Sequence, residues 1–253
     1  MLTFEKNFIL KKTFYDLKSE SQKSYGGFLW HLIAPSSYIL IFYLAFNSGF
    51  SGRPDSFFSF VIVGVMFYRM VILALSEALT VIENNMWLLN FYDFPKVLLF
   101  LSRFILSFTK FLFFAIFAFI IIFYLNDFNL LTIFRLTLVF ILNIFFLFSL
   151  FVILACLAPL IKDISAIWEI ITLGLLFTSG VFVDINSYNT LIQDILWLNP
   201  LAIFIDFYRK ILIYQLPFPN DKLFYIITFT ILQILLSFFV YKKLNKLFLK
   251  ITW

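Results

Sequence analysis

The sequence predicts an all-α integral membrane protein with six transmembrane helices, and two observations predict it. Of its 253 residues, 63% are hydrophobic and 13% charged, with a mean hydropathy of +1.01. Soluble domains run near ~45–50% apolar and ~25% charged, so a water-soluble fold of this size could not hide so much apolar surface. Six apolar stretches, near 29–48, 57–81, 104–125, 133–158, 164–183 and 223–241, also each meet the ~17–25 residues a spanning helix needs. Helices are required because lipid offers backbone N–H and C=O groups no other partner.

The N-terminal element comes first. Residues 1–24 interleave Leu2, Phe4, Phe8, Ile9, Phe14 and Leu17 with Lys6, Lys11, Lys12, Lys18 and Lys23. This reads as an amphipathic helix in the membrane interface, with lysines toward anionic headgroups; a disordered basic tail is the alternative. The segment holds no apolar core long enough for a cleavable signal, so the first span is expected to act as an uncleaved insertion signal. The chain then divides into an interfacial arm (1–27), a six-span bundle (28–243) and a tail (244–253), all one transmembrane domain.

Basic residues orient the spans. One side collects the N-terminal lysines, Lys96, Arg103, Lys110, Lys162, Lys242, Lys243, Lys246 and Lys250; the other holds Arg53, Arg135, Arg209, Lys210 and Lys222. The richer side is expected to be cytoplasmic, which places both termini there, in a multi-pass protein of the cytoplasmic (inner) membrane. The net charge of +5, mostly at the two ends, fits orientation in a membrane better than nucleic-acid binding.

Two connections are more than turns. Residues 82–103 mix polar, aromatic and apolar residues around Pro95 on the cytoplasmic side. Residues 184–222, on the outer side, are too apolar for a solvated loop and too broken for a span. They read as two short re-entrant or interfacial helices hinged at Asn199-Pro200, a backbone tolerated at membrane depth only inside protein or beside a water-filled cavity.

The motifs for chemistry are missing. No G-x-x-x-x-G-K-[ST] phosphate loop occurs among the 7 glycines, so nucleotide binding by that route is not expected. His31 is the only histidine and Cys156 the only cysteine, so one chain can build neither a metal site of several histidines nor an intrachain disulfide. No metal and no cofactor are expected in this chain. Inside the spans, Arg69 lies near the middle of the second and Glu77 two turns further on. An unpaired charge there costs at least ~2.5–3.5 kcal/mol, so Arg69 either lines a hydrophilic path or pairs with Glu77 or Glu169. Tyr38, Phe42, Tyr43 and Phe46 cluster on the first span; their faces could stack on sugar C–H surfaces, or pack against protein and lipid.

Five short patterns follow one another in order. Ser24-Tyr25-Gly26-Gly27-Phe28-Leu29-Trp30 with Pro35 leads into the first span. Gly64, Phe67 and Tyr68 lie in the second. Asn85-Met86-Trp87-Leu88-Leu89 ends in Phe94-Pro95. Lys162-Asp163-Ile164 precedes the fifth span. Ser179-Gly180-Val181-Phe182 is followed by Asn199-Pro200-Leu201 and Arg209. Together they resemble, nearly end to end, the membrane subunits of type-2 ABC exporters of capsular polysaccharide, O-antigen or teichoic acid.

That resemblance implies a permease working as a homodimer with two copies of a separate ABC ATPase, which would bind ATP and Mg. It implies a cytoplasmic coupling helix with Asn85, Trp87, Leu88, Phe94 and Pro95 facing that ATPase. It implies outer re-entrant helices flanked by Ser179, Gly180, Asn199, Pro200 and Arg209, and a lipid-linked glycan as cargo. Tyr38, Phe42, Tyr43, Arg69 and Glu77 are the candidate lining of its path. A type-2 exporter of a lipid, drug or small hydrophobic compound remains an alternative. So do a membrane-embedded acyltransferase or polymerase and a non-catalytic scaffold.

Overall fold

A computed structural model describes residues 2–47, 56–91, 95–125 and 129–244. Among them every regular element is helical: α1 (Leu2–Gln22), α2 (Trp30–Asn47), α3 (Phe57–Thr80), α4 (Met86–Phe91), α5 (Lys96–Leu125), α6 (Leu130–Leu157), α7 (Ile164–Thr178), α8 (Thr190–Leu196), α9 (Pro200–Arg209) and α10 (Asn220–Leu244). Five segments are long and apolar enough to cross a bilayer: Gly27–Ala45, Phe57–Thr80, Lys96–Leu125, Leu130–Leu160 and Asn220–Leu244. They match the first, second, third, fourth and sixth expected spans.

α3 is the hub. Phe60, Val61, Val63, Met66, Phe67 and Ala78 are buried, and α2, α5, α6, α7 and α9 all pack on this helix. A helix apolar on all faces belongs inside a bundle. α10 packs mainly on α6 and leaves most of its outer surface apolar and exposed. So does α2, whose Leu40, Ile41 and Leu44 face outward. In water such surfaces would be unstable; in lipid they meet their own kind.

The structure revises two expected boundaries. The third span begins at Lys96, not near 104, and residues 96–103 form the first turns of α5. Arg103, expected at the end of the 82–103 connection, lies in α5 and is buried, with Asp16, Glu20 and Glu77 around it. The fifth expected span, 164–183, is helical only over the 15 residues of α7. At 1.5 Å per residue that is about 22 Å, short of the ~30 Å hydrocarbon core. The helix ends where Gly180 takes a positive φ of 67°, a conformation that glycine adopts without steric cost.

α1 is docked on the bundle, not only laid beside it. Thr13 is buried and donates to the Ser102 carbonyl at 3.1 Å, and Asp16 and Glu20 turn toward α5. Leu10, Phe14 and Tyr15 stay exposed together with Lys11 and Lys18.

Candidate functional site

The candidate site is built around the hairpin between α7 and α10. α8 and the segment running from α9 through a π-helical turn (Lys210–Tyr214) meet at 99°. Asn199 makes this corner. Its Oδ1 accepts from Leu201 N at 3.0 Å as the N-cap of α9, and Pro200 occupies the first helical position. An N-terminal proline gives up no intrahelical bond there, and its fixed φ suits the helix. Asn199 Nδ2 donates to Ser179 Oγ at 2.9 Å, which ties the corner to the end of α7.

Arg209 completes the tie. It is buried, and its guanidinium donates to the carbonyls of Gly180 (2.6 Å), Val181 (2.7 Å) and Phe60 (3.1 and 3.3 Å). Its Cζ stands 3.3 Å from the centroid of the Phe60 ring. A buried cation is costly unless its donors are filled; here backbone carbonyls and a ring face do the filling, with no carboxylate within 4 Å among the described residues. Ser179, Gly180, Asn199, Pro200 and Arg209 therefore meet in one cluster. Gly64 belongs with them: a β-carbon at 64 would lie 2.5 Å from the Val181 oxygen. Beside this cluster a cavity of about 240 Å³ is lined by Asp184, Asn186, Trp197, Asp206 and Lys210 as well as Arg209.

The expected path residues separate into three places. Tyr38 and Arg69 line one cleft of about 440 Å³ between α2, α3 and α7, with Tyr68, Glu169, Thr172 and Phe182. Phe42 stacks on Phe182 at its edge. Tyr43 instead packs on Phe57 and Phe58 and borders an apolar cavity of about 230 Å³ against α5. Glu77 is elsewhere again: it accepts from Arg103 Nη1 at 3.3 Å and Lys110 Nζ at 2.5 Å. The pairing of Arg69 with Glu77 is thus not made. No carboxylate lies within 4 Å of Arg69 among the described residues, and its buried Nε has no hydrogen-bond partner.

Glu77 is one node of a buried charge network. Lys110 also reaches Glu20 at 2.6 Å, and Arg103 reaches Asp16 and Glu20 at 3.5 and 3.8 Å. The chain signal for it was available. Arg103 and Lys110 are two helical turns apart on one face of α5, and Asp16 and Glu20 are one turn apart on α1. Sequence reasoning also missed the bond from Asn143 Nδ2 to Tyr208 Oη at 2.9 Å, under which Tyr208 stacks on Phe67.

At the expected coupling element, Asn85 is buried and donates to the Val81 carbonyl at 2.7 Å. This holds the turn before α4 to the end of α3. Leu88 packs against the core. Trp87 is exposed at 57% and Pro95 is exposed. Phe94, the side chain of Phe46 and the tail after Leu244 lie outside the described residues.

These features define a multi-span helical membrane protein with a bent hairpin locked to its central helix. The sequence matches the ABC-2 type transporter family over residues 13–213, most of its 253 residues, and the chain belongs to that family. It is the membrane component of an ABC transporter, a transport part that is not itself catalytic. No curated protein matches the sequence.

Proposed function

We propose that the chain is the permease half of an exporter that moves a lipid-linked polysaccharide of the O-antigen, capsule or teichoic acid type across the cytoplasmic membrane. Two copies would form the conduit, driven by two copies of a separate ABC ATPase that binds ATP and Mg. Both termini would face the cytoplasm, as the distribution of basic residues suggests.

The observation that carries the reading is the lock between the outer hairpin and α3. Arg209 binds the Phe60 carbonyl near one end of α3, while Asn85 holds the turn before α4 at the other. One helix thus joins the element expected to meet the ATPase to the hairpin expected to gate the exit. Nucleotide binding performs work on the permease only if the ATPase binds its two conformations with different free energy. A stiff connection of this kind lets a displacement at α4 reach the hairpin.

The test is removal of the gene in its native host, followed by extraction of surface and internal glycan, with affinity purification of the tagged chain in mild detergent. Expected are glycan retained inside and an ABC ATPase copurifying. Normal surface glycan together with no ATPase would defeat the reading. A second reading, export of a lipid or small hydrophobic compound, is favoured by the size of the α2–α3–α7 cleft, about 440 Å³, which suits one compact ligand. Unaltered glycan with an ATPase still bound would select it.

A further inference from the structure

We propose that the cleft between α2, α3 and α7 is a binding site for the phosphate group of an anionic amphiphile, with Arg69 as its ligand. The role of such a site in export rests on the function proposed above; the binding itself does not.

The argument begins with an unmet charge. Arg69 lies near the middle of α3, a 24-residue apolar span. It makes no ion pair within 4 Å among the described residues, and its Nε is buried without an acceptor. Holding a guanidinium there unpaired is costly, and a phosphate accepting from both arms of the fork is among the strongest partners it can take. The other arginine buried by α3, Arg209, has its donors filled by three carbonyls. Arg69 has nothing equivalent.

The walls select the rest of the ligand. Val65, Ile72, Leu173, Leu176 and Phe182 supply apolar surface, and Tyr38 presents an exposed phenol from α2. A free inorganic anion would gain nothing from those walls, whereas an amphiphile would use both parts. The cleft is also built to persist. Tyr68 Oη donates to the Thr172 carbonyl at 2.8 Å, and Trp168 Nε1 donates to Ser76 Oγ at 2.9 Å, so α7 is pinned to α3 on both sides of Arg69. Glu169 shares the cleft and is exposed. Among the described residues that line the cleft it is the one carboxylate that could compete with a phosphate for Arg69, and this makes the proposal decidable.

The test uses the purified full-length chain in nanodiscs of zwitterionic lipid and measures equilibrium binding of a short isoprenyl phosphate. The matching isoprenol and inorganic phosphate serve as competitors. The lipid phosphate should bind at least about tenfold more tightly than the alcohol, as expected for a charge-assisted pair, and inorganic phosphate should compete weakly. Arg69→Gln should abolish that preference while leaving alcohol binding unchanged and the unfolding temperature no lower than the parent's, since it removes an unpaired charge; Arg69→Lys should retain part of the preference, and Glu169→Gln should bind as tightly or more so. Equal binding of phosphate and alcohol would overturn the site. Inorganic phosphate competing as well as the lipid would overturn the amphiphile. Loss of binding in Glu169→Gln to the level of Arg69→Gln would show instead that the two residues act as a structural pair. Binding as expected in a protein with no export phenotype would leave the site standing and count against the export reading alone.

Discussion

Arg209 and Gly64 fit together because Gly64 has no side chain: a β-carbon there would stand 2.6 Å from Arg209 Nη2 and 2.5 Å from the Val181 oxygen. Gly64→Ala must therefore push the Val181 carbonyl, or displace a guanidinium that binds that carbonyl and two others. Overpacking of this kind costs about 1–3 kcal/mol. Detergent-solubilised Gly64→Ala should unfold at a lower temperature than the parent. Arg209→Lys should do the same, because an ammonium cannot reproduce the planar fork. If the fit is real, the double variant loses less than the sum of the two. Strict additivity would mean the residues do not meet.

The bond between Asn143 and Tyr208 offers a second test of the core. Tyr208→Phe leaves Asn143 Nδ2 without its acceptor in a buried site where Asn143 Oδ1 already lacks a partner. An unsatisfied buried polar group costs about 1–3 kcal/mol. Thermal unfolding should show that loss for Tyr208→Phe and its partial recovery in Tyr208→Phe with Asn143→Leu, where neither polar group remains. A double variant less stable than Tyr208→Phe alone would contradict the account.

The charge network makes a prediction about α1. Glu77 is the carboxylate on α3 that Arg103 and Lys110 share, and Glu20 and Asp16 reach the same cations from α1. Glu77→Gln leaves two buried cations with acceptors on α1 alone. Breaking a buried pair by removing one partner costs on the order of 3–5 kcal/mol. Glu20→Gln, on the more exposed rim, should cost less but should free α1. The check is a cysteine pair replacing Thr13 and Ser102, which meet through the Thr13 hydroxyl and the Ser102 carbonyl. Cross-linking should fall in the Glu20→Gln background and stay high in the parent. Equal cross-linking in both would mean that apolar contacts, and not charge, hold α1.

The sequence makes some of this legible and hides the rest for physical reasons. The hinge at Asn199-Pro200 is readable because an asparagine cap and a proline at the first helical position act locally. The break at Ser179-Gly180 hides a shorter helix inside what reads as a span, since Val181 and Phe182 are apolar whichever conformation they adopt. The burial of Arg103 is not readable from its own neighbourhood, because the carboxylates that neutralise it lie on α1 and α3. The aromatic cluster on the first span divides for a geometric reason. Tyr38 and Phe42 are four residues apart and share a face, whereas Tyr43 lies about 140° round the helix from Tyr38 and reaches a different cavity.

Trp87 separates coupling from stability. It lies on α4, exposed at 57%, and an exposed tryptophan is a strong candidate to anchor a partner, since aromatic residues dominate interface energetics. Its neighbours behave differently. Leu88 packs on the core and Asn85 is buried and bonded to Val81, so changes at either would weaken the fold and the coupling together. Trp87→Ala removes no buried contact and should leave thermal unfolding within about 0.5 kcal/mol of the parent, as for surface changes generally. Truncating an interface anchor costs about 2 kcal/mol or more in binding. Copurification of the ATPase and export should therefore both drop sharply in Trp87→Ala at unchanged protein level. Leu88→Ala should reduce the protein level as well. If Trp87→Ala retains the ATPase and exports normally, α4 does not contact the motor through this side chain, and the docking surface must be sought around the exposed Pro95 at the start of α5 instead.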